Sequence, residues 1–365
     1  MNGADKPFLY TVILLVAGGF LMFYSASLSL FAKDTSTNST LIMQGLGLLF
    51  GFMGMFAANK VPYTFWKKFS FFILVGAVVI NLIILVPGIG MEHGGAIRWI
   101  QIKNFTFQPS ELLKIAYIIY LAAWISKARD KIENLKEGVI PFLVISSMVA
   151  ILMYIQKDTD TMAVILGTGV VMVFCAGMKW RHLLLLLGIG ALFLGGILIT
   201  RPYALQRVTT FINPTKDSQG AAYQIQQSLI AIGSGGAFGK GLGQSVQKFN
   251  YLPEPTGDSI FAVAGEEFGF LGAILLVLTY LFLVIRGFKI ATKAPDSFGR
   301  LIVVGIVILV AVESYMNMSA MLGIIPLSGM PLLFVSHGGT ALAIAIAEMG
   351  IVLNVSKAKQ RRTKI

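Results

Sequence analysis

Cysteine, histidine and charge are all scarce in this 365-residue chain. It has one cysteine and three histidines, and charged residues make up 13% of it. The lone Cys175 lies inside an apolar run, which excludes a disulfide framework or a cysteine metal centre. His93, His182 and His337 fall in separate segments, so no histidine-based metal site is expected. Soluble domains carry ~25% charged residues. With 56% hydrophobic residues instead, the chain is not a soluble enzyme or a nucleic-acid-binding module.

What it has is apolar length. Runs of about 18 or more apolar residues read as membrane-spanning helices, because a helix satisfies its own backbone in hydrocarbon. The sequence divides into ten: 8–32, 41–58, 70–87, 110–126, 139–156, 161–178, 183–200, 259–285, 301–322 and 338–355. The expected fold is an all-α polytopic membrane protein of ten transmembrane helices, forming a single domain over 1–365. Both termini are placed in the cytoplasm, and a long extracytoplasmic loop, 201–258, joins helices 7 and 8. Charge supports this count: one face then receives Lys60, Lys67, Lys68, Lys127, Lys131, Lys179, Arg286, Lys289, Arg300 and the basic tail from Lys357. Lys and Arg in short loops mark the cytoplasmic side. The net charge of +12 therefore reflects this bias and attraction to anionic headgroups, not nucleic acid. The first span exceeds a signal-peptide core of roughly 7–15 residues and reads as an uncleaved anchor.

Two outer loops carry the chemistry. The first holds Arg98 and Trp99, then Pro109-Ser110 as a helix start, with Glu111 and Lys114 three apart on one helix face. The second is far longer than the usual connection of ~4–6 residues. Within it, 221–232 reads as a helix with one apolar face, lying along the membrane or dipping into it. A glycine tract follows, Gly233 to Gly243, which includes Ser234, Gly235 and Lys240, and then Lys248. Glycine lets backbone N–H groups approach a phosphate while lysine adds a point charge; equally, glycines permit a tight re-entrant turn and close helix packing. Both readings stand on spacing alone. Asp258, at the mouth of the span from Ile260, is either a general base or a helix-capping acid. Glu266, Glu267, Glu313 and Glu348 lie inside spans, where carboxylates are costly and normally face a cavity or a partner; Lys114 is a candidate counter-ion.

These motifs together resemble one family. Arg98-Trp99-Ile, Gln108-Pro-Ser-Glu-Leu-Leu-Lys114, the run from Tyr223 to Gly236, Gly239-Lys-Gly-Leu-Gly243, Gln247-Lys248, Tyr251-Leu-Pro-Glu254, Phe261 to Gly269 and Gly329 to Gly339 are similar to the SEDS proteins (shape, elongation, division and sporulation). The match runs over nearly the whole chain and lies closer to the FtsW branch than to RodA. The resemblance implies a glycosyltransferase of the bacterial cell membrane, active in division or elongation. It would polymerise lipid II into β-1,4 glycan with release of undecaprenyl diphosphate, beside a class B penicillin-binding protein and other division or elongation proteins. The family's essential acid, in Leu-Pro-Glu-x-His-Thr-Asp, lands on Asp258. This sequence departs from the pattern with Thr256, Gly257 and Ser259 around that acid, with His337 for a tyrosine, and with Gln156-Lys-Asp-Thr-Asp160 in place of a Pro-Asp-x-Gly turn.

The expected mechanism is inverting. Asp258 takes the proton of an acceptor 4-hydroxyl while Arg207, Lys240, Lys248 and the glycine backbone hold the leaving diphosphate. Arg98, Trp99, Glu111 and Lys114 line the same outer cavity. A divalent cation such as Mg or Mn could ride on the diphosphate, though the sequence contains no dedicated site. A lipid II flippase and a non-catalytic division scaffold are the rival readings. The confinement of the unusual motifs to one side favours the enzyme.

Overall fold

The computed structural model describes residues 3–31, 37–93, 96–102, 105–213, 220–249 and 251–362. Twelve α-helices account for most of them: α1 (Lys6–Phe31), α2 (Thr37–Lys60), α3 (Tyr63–Ile83), α4 (Pro109–Ala128), α5 (Ile140–Ile155), α6 (Thr159–Cys175), α7 (Trp180–Thr200), α8 (Pro202–Ile212), α9 (Ala221–Ser234), α10 (Ile260–Thr292), α11 (Ser297–Met321) and α12 (Gly339–Arg362). Among the described residues, eight helical segments are long and apolar enough to cross a membrane: α1, α2, α3, the segment Leu135–Ile155 containing α5, α7, α10, α11 and α12. The two other expected spans coincide with α4 and α6. Both are helical and packed into the bundle, but α6 has only 17 residues, and Glu111 and Lys114 lower the hydropathy of α4. Asp5 N–H donates to Ser356 Oγ at 3.0 Å and Asp5 pairs with Arg286 at 2.8 Å, so the starts and ends of α1, α10 and α12 meet on one face.

The all-α expectation needs one correction. The connection after α3 folds into a three-stranded antiparallel sheet, β1 (Gly90–His93), β2 (Ala96–Ile102) and β3 (Phe105–Phe107), in the order β1-β2-β3. Ile97, Ile100 and Phe107 supply the β-branched and aromatic side chains that favour extended backbone. The expected helix at 221–232 is present as α9. It packs against α10 and buries Ala222, Ser228 and Ala231.

Burial sorts the helices. Within their apolar windows, α11 is 78% and α12 72% buried, against 11% for α7, so α11 and α12 form the axis and α7 faces outward. The α2–α12 pair packs at backbone distance. A Cβ on Gly54 would stand 2.8 Å from the Ala347 Cβ, and one on Gly47 would collide with Gly339. Small residues at such a crossing let dispersion and main-chain contact replace the hydrophobic drive that lipid does not provide.

Near its N-terminal end α10 is broken at Gly269, whose φ of 66° and ψ of −166° are open to glycine and costly for other residues. The glycine tract after α9 repairs the break. Glu266 and Glu267 carbonyls accept from Lys240 and Gly241 N–H, both at 3.0 Å, while Phe270 and Leu271 N–H donate to the carbonyls of Gly236 and Ala237. Four bonds to a neighbouring loop thus satisfy the carbonyls of Glu266 and Glu267 and the N–H groups of Phe270 and Leu271, which would otherwise be costly to leave bare in an apolar setting.

Candidate active site

On the face opposite the Asp5–Ser356 contact, α4, α6, α8, the sheet and the loops before α10 and α12 enclose a cavity of about 650 Å³. Arg98, Trp99, Glu111, Arg207 and Asp258 all line it, together with Asp158, Arg201, Tyr203, Glu254 and His337. The first turns or caps of α4, α6, α8 and α12 contribute to this wall, and Asp258 stands just ahead of α10. Each helix N-terminus carries about +0.5 of an elementary charge and unsatisfied N–H groups, so their convergence favours a negatively charged occupant.

Asp258 is positioned through its main chain. Asn317, buried on α11, donates from Nδ2 to the Asp258 carbonyl at 2.8 Å and to the Met330 carbonyl at 2.7 Å. Ser336 Oγ donates to the Gly257 carbonyl at 2.8 Å, and His337 N–H donates to the Thr256 carbonyl at 2.7 Å. The loops before α10 and α12 are thereby fastened to each other and to α11. Ser259, not Asp258, takes the cap position of α10, so the carboxylate is not engaged as a cap. Burial, reinforced by Glu254, pushes Asp258 up to about 7; Asp160 acts in the same direction, while Arg207 and Arg98 oppose it. A carboxyl group near neutrality is matched to proton transfer at physiological pH.

The arginines pair with other acids. Arg207 binds Asp160 at 2.7 Å, stacks on the Tyr203 ring at 4.4 Å and hydrogen-bonds the Tyr203 hydroxyl. Arg98 lies 3.7 Å from Asp158 and donates to the Lys157 carbonyl at 2.5 Å. Asp158 caps α6 by accepting from Thr161 N–H; burial raises it above the usual carboxylate range and Arg98 moderates the shift. His337 stacks on Phe23 with ring centres 5.8 Å apart, its Nδ1 buried without a partner, and burial lowers its pKa.

The sequence profile of the FtsW, RodA and SpoVE proteins, described as "Cell cycle protein", matches residues 5–361. The chain belongs to this family. It is 39% identical over 360 residues to the probable peptidoglycan glycosyltransferase FtsW of Geobacter sp. (strain M18), covering 98% of this chain and 97% of that one. It is 38% identical over 356 residues to stage V sporulation protein E of Bacillus subtilis (strain 168), covering 97% of both. Among solved structures, it superposes with a TM-score of 0.82 and 25% identity on a chain from a study of polymerization and crosslinking by a peptidoglycan synthase complex, covering 98% and 99% of the two chains. The rod shape determining protein RodA of Thermus thermophilus gives a TM-score of 0.69 at 25% identity, covering 98% of both. As a member of the FtsW/RodA/SpoVE family the chain is a multi-pass membrane protein.

In this family member the expected site residues divide. Arg98, Trp99, Glu111, Arg207 and Asp258 share the cavity, and Lys114 lies behind Glu111, buried between it at 2.9 Å and Glu313 at 2.8 Å. Ser234, Gly235, Lys240 and Lys248 are elsewhere. Lys240 pairs with Glu266 and Lys248 with Glu267, each at 2.7 Å, and Ser234 Oγ approaches Glu266 at 3.4 Å. Gly235 lies against the backbone of Gly265 and Glu266. The glycine tract therefore makes the tight turn of the second sequence reading, and its lysines neutralise intramembrane carboxylates. Asp160, Tyr203 and Asn317 were not singled out by sequence. The altered turn ending at Asp160 was the one available signal.

Proposed function

We propose that the chain is a peptidoglycan glycosyltransferase that extends β-1,4 glycan strands from lipid II with inversion, as the names of its relatives suggest. The observation that carries this reading is Asp258 near neutrality on the wall of a cavity whose other charges and helix starts suit an anionic lipid diphosphate. Asp258 accepts the proton of the acceptor N-acetylglucosamine 4-hydroxyl as that oxygen attacks C1 of the donor N-acetylmuramic acid. The C1–oxygen bond to the diphosphate breaks, and the leaving oxygens are held by Arg207 and Arg98 and by the N-terminal N–H groups of the converging helices. A diphosphate leaves without a protonating acid, so one carboxylate suffices, unlike glycoside hydrolysis.

In this reading the bundle spans the membrane ten times, with α4 and α6 completing the eight apolar spans. Both termini are cytoplasmic, the cavity opens outside, and residues 1–365 act as one domain. A divalent cation, where the reaction uses one, arrives with the diphosphate. A class B penicillin-binding protein crosslinks the product, a partnership suggested by the synthase complex that the fold matches. Purified full-length protein, with and without that partner, is supplied with lipid II and assayed for glycan strands. Polymer is expected from the wild type and none from Asp258→Ala in a folded, membrane-inserted preparation. Polymer from the variant would remove Asp258 as the base, and none from either protein would move the reading to transport or scaffolding.

A further inference from the structure

Two carboxylates stand beside the guanidinium of Arg207, which lines the cavity. Arg207 gives its ion pair to Asp160, whose Oδ2 also accepts from the Gly329 N–H at 3.4 Å. A Cβ placed on Gly329 would lie 3.4 Å from Arg207 Nη2, 3.7 Å from Asp258 Oδ2 and 3.9 Å from Asp160 Oδ2. The three ionic groups thus surround a single point that glycine keeps open. Tyr203, one turn back on α8, holds the other side of Arg207 by ring stacking and a hydrogen bond. Asp258 flanks the same point yet forms no ion pair with Arg207. Asp160 closes the Gln156-Lys-Asp-Thr-Asp160 segment, which departs from the resembled Pro-Asp-x-Gly turn.

We propose that Asp160 is a positioning residue for the reaction: by holding Arg207 it keeps the guanidinium off Asp258, leaving that carboxylate free to accept a proton and leaving Arg207 aimed at the diphosphate. The inference rests on the function proposed above. An opposite charge moved to within ~4–6 Å of a carboxylate lowers its pKa by roughly 1–3 units, which would disarm a base. Asp258 faces Glu254 from its own loop, Asp160 from α6, Arg207 from α8, Arg98 from β2 and His337 from the loop before α12. Glu111, Lys157, Asp158 and Arg201 complete the charged wall. Of these groups, Asp160 and Arg207 are the paired acid and base that flank the same point as Asp258 Oδ2.

The test is the pH dependence of kcat/KM for glycan synthesis from lipid II by the full chain with its transpeptidase partner. Asp160→Asn is expected to move the acidic limb down by about one unit or more. Asp160→Glu should keep it near the wild-type position. In an Arg207→Gln background the same Asp160→Asn change should move the limb by less than half as much, because only the direct repulsion between the carboxylates is lost. A limb that does not move, or that moves equally in both backgrounds, overturns the proposal. Infrared titration of the Asp258 carboxyl reads the same displacement without turnover and covers variants too slow to assay. A polymerising Asp258→Ala protein would instead remove the catalytic reading, so the two failures are distinct.

Discussion

Two regions at the N-terminal end of α10 are built from the same materials, carboxylates, cations and glycine, and differ in how completely those groups satisfy one another. Around Glu266 and Glu267 every charge is answered. Glu266 accepts from Lys240, from Ser245 Oγ and from two backbone N–H groups, and Glu267 accepts from Lys248 and Ser25. Around Asp258 the polar contacts go to main-chain carbonyls, and the carboxylate itself faces an open cavity. A charge near a membrane is expensive in both places. The first region meets that cost internally and is structural, whereas the second keeps its carboxylate available for an occupant. Internal satisfaction, more than charge itself, separates a clasp from a site.

Mutations should break this comparison in graded steps. Asp258→Asn is expected to lower glycan synthesis by ~10²–10⁴-fold, the range for losing a general base, while leaving the helical content of the bundle intact. It should also raise thermal stability at pH 8. The folded protein holds Asp258 at about 7, above its ordinary 3.8, so stability is lost as pH rises from 3.8 towards about 7; asparagine escapes that loss, and at pH 3 the two proteins should melt alike. Equal melting at pH 8 would contradict the burial assigned to this carboxyl group.

Lys248→Ala strands the buried Glu267 and should destabilise the protein by roughly 3–5 kcal/mol, read as lost yield of folded protein in detergent. Pairing Lys248→Met with Glu267→Leu should recover most of it, and failure to recover would mean that Lys248 does more than neutralise Glu267. Gly239→Ala must accommodate a φ of 82° and a collision with the Glu267 carbonyl, so a loss of at least ~1–3 kcal/mol is expected in the same assay. Lys240→Ala is the mildest change. Its side chain is 36% exposed and Glu266 keeps its bonds to Ser245, Val246 and Gln247, so about 1 kcal/mol or less should be lost.

Much of the fold was legible because its signals are local. Long apolar runs located the helices, a helical period located α9, and the position of Asp258 at the mouth of a span singled it out. The role of Lys240 and Lys248 was not legible. Their partners lie 26 and 19 residues away on the first turns of α10, and the sequence does not state which carboxylate a loop lysine will meet. The small sheet escaped because its strands, of four, seven and three residues, are too short for a clear alternation. Asn317 reads as any polar residue within a span, and only the folded chain sets two carbonyls from different loops in front of its amide. Asp160 was visible as an oddity in a turn, but its pairing with Arg207 depends on α8, which no periodicity in the long loop had indicated.

The fastening of the loop before α10 has a bearing on how freely its sequence can drift. Asn317, Ser336 and His337 hold the carbonyl oxygens of Asp258, Gly257 and Thr256, groups that every amino acid carries. The side chains at 256 and 257 are thereby released from the task of aiming the acid, and threonine and glycine can stand where relatives of the resembled pattern use histidine and threonine. Variation should accumulate at such positions while the donors across the gap stay fixed, so the residues that guard the acid's geometry are recorded some 60 to 80 positions downstream of it.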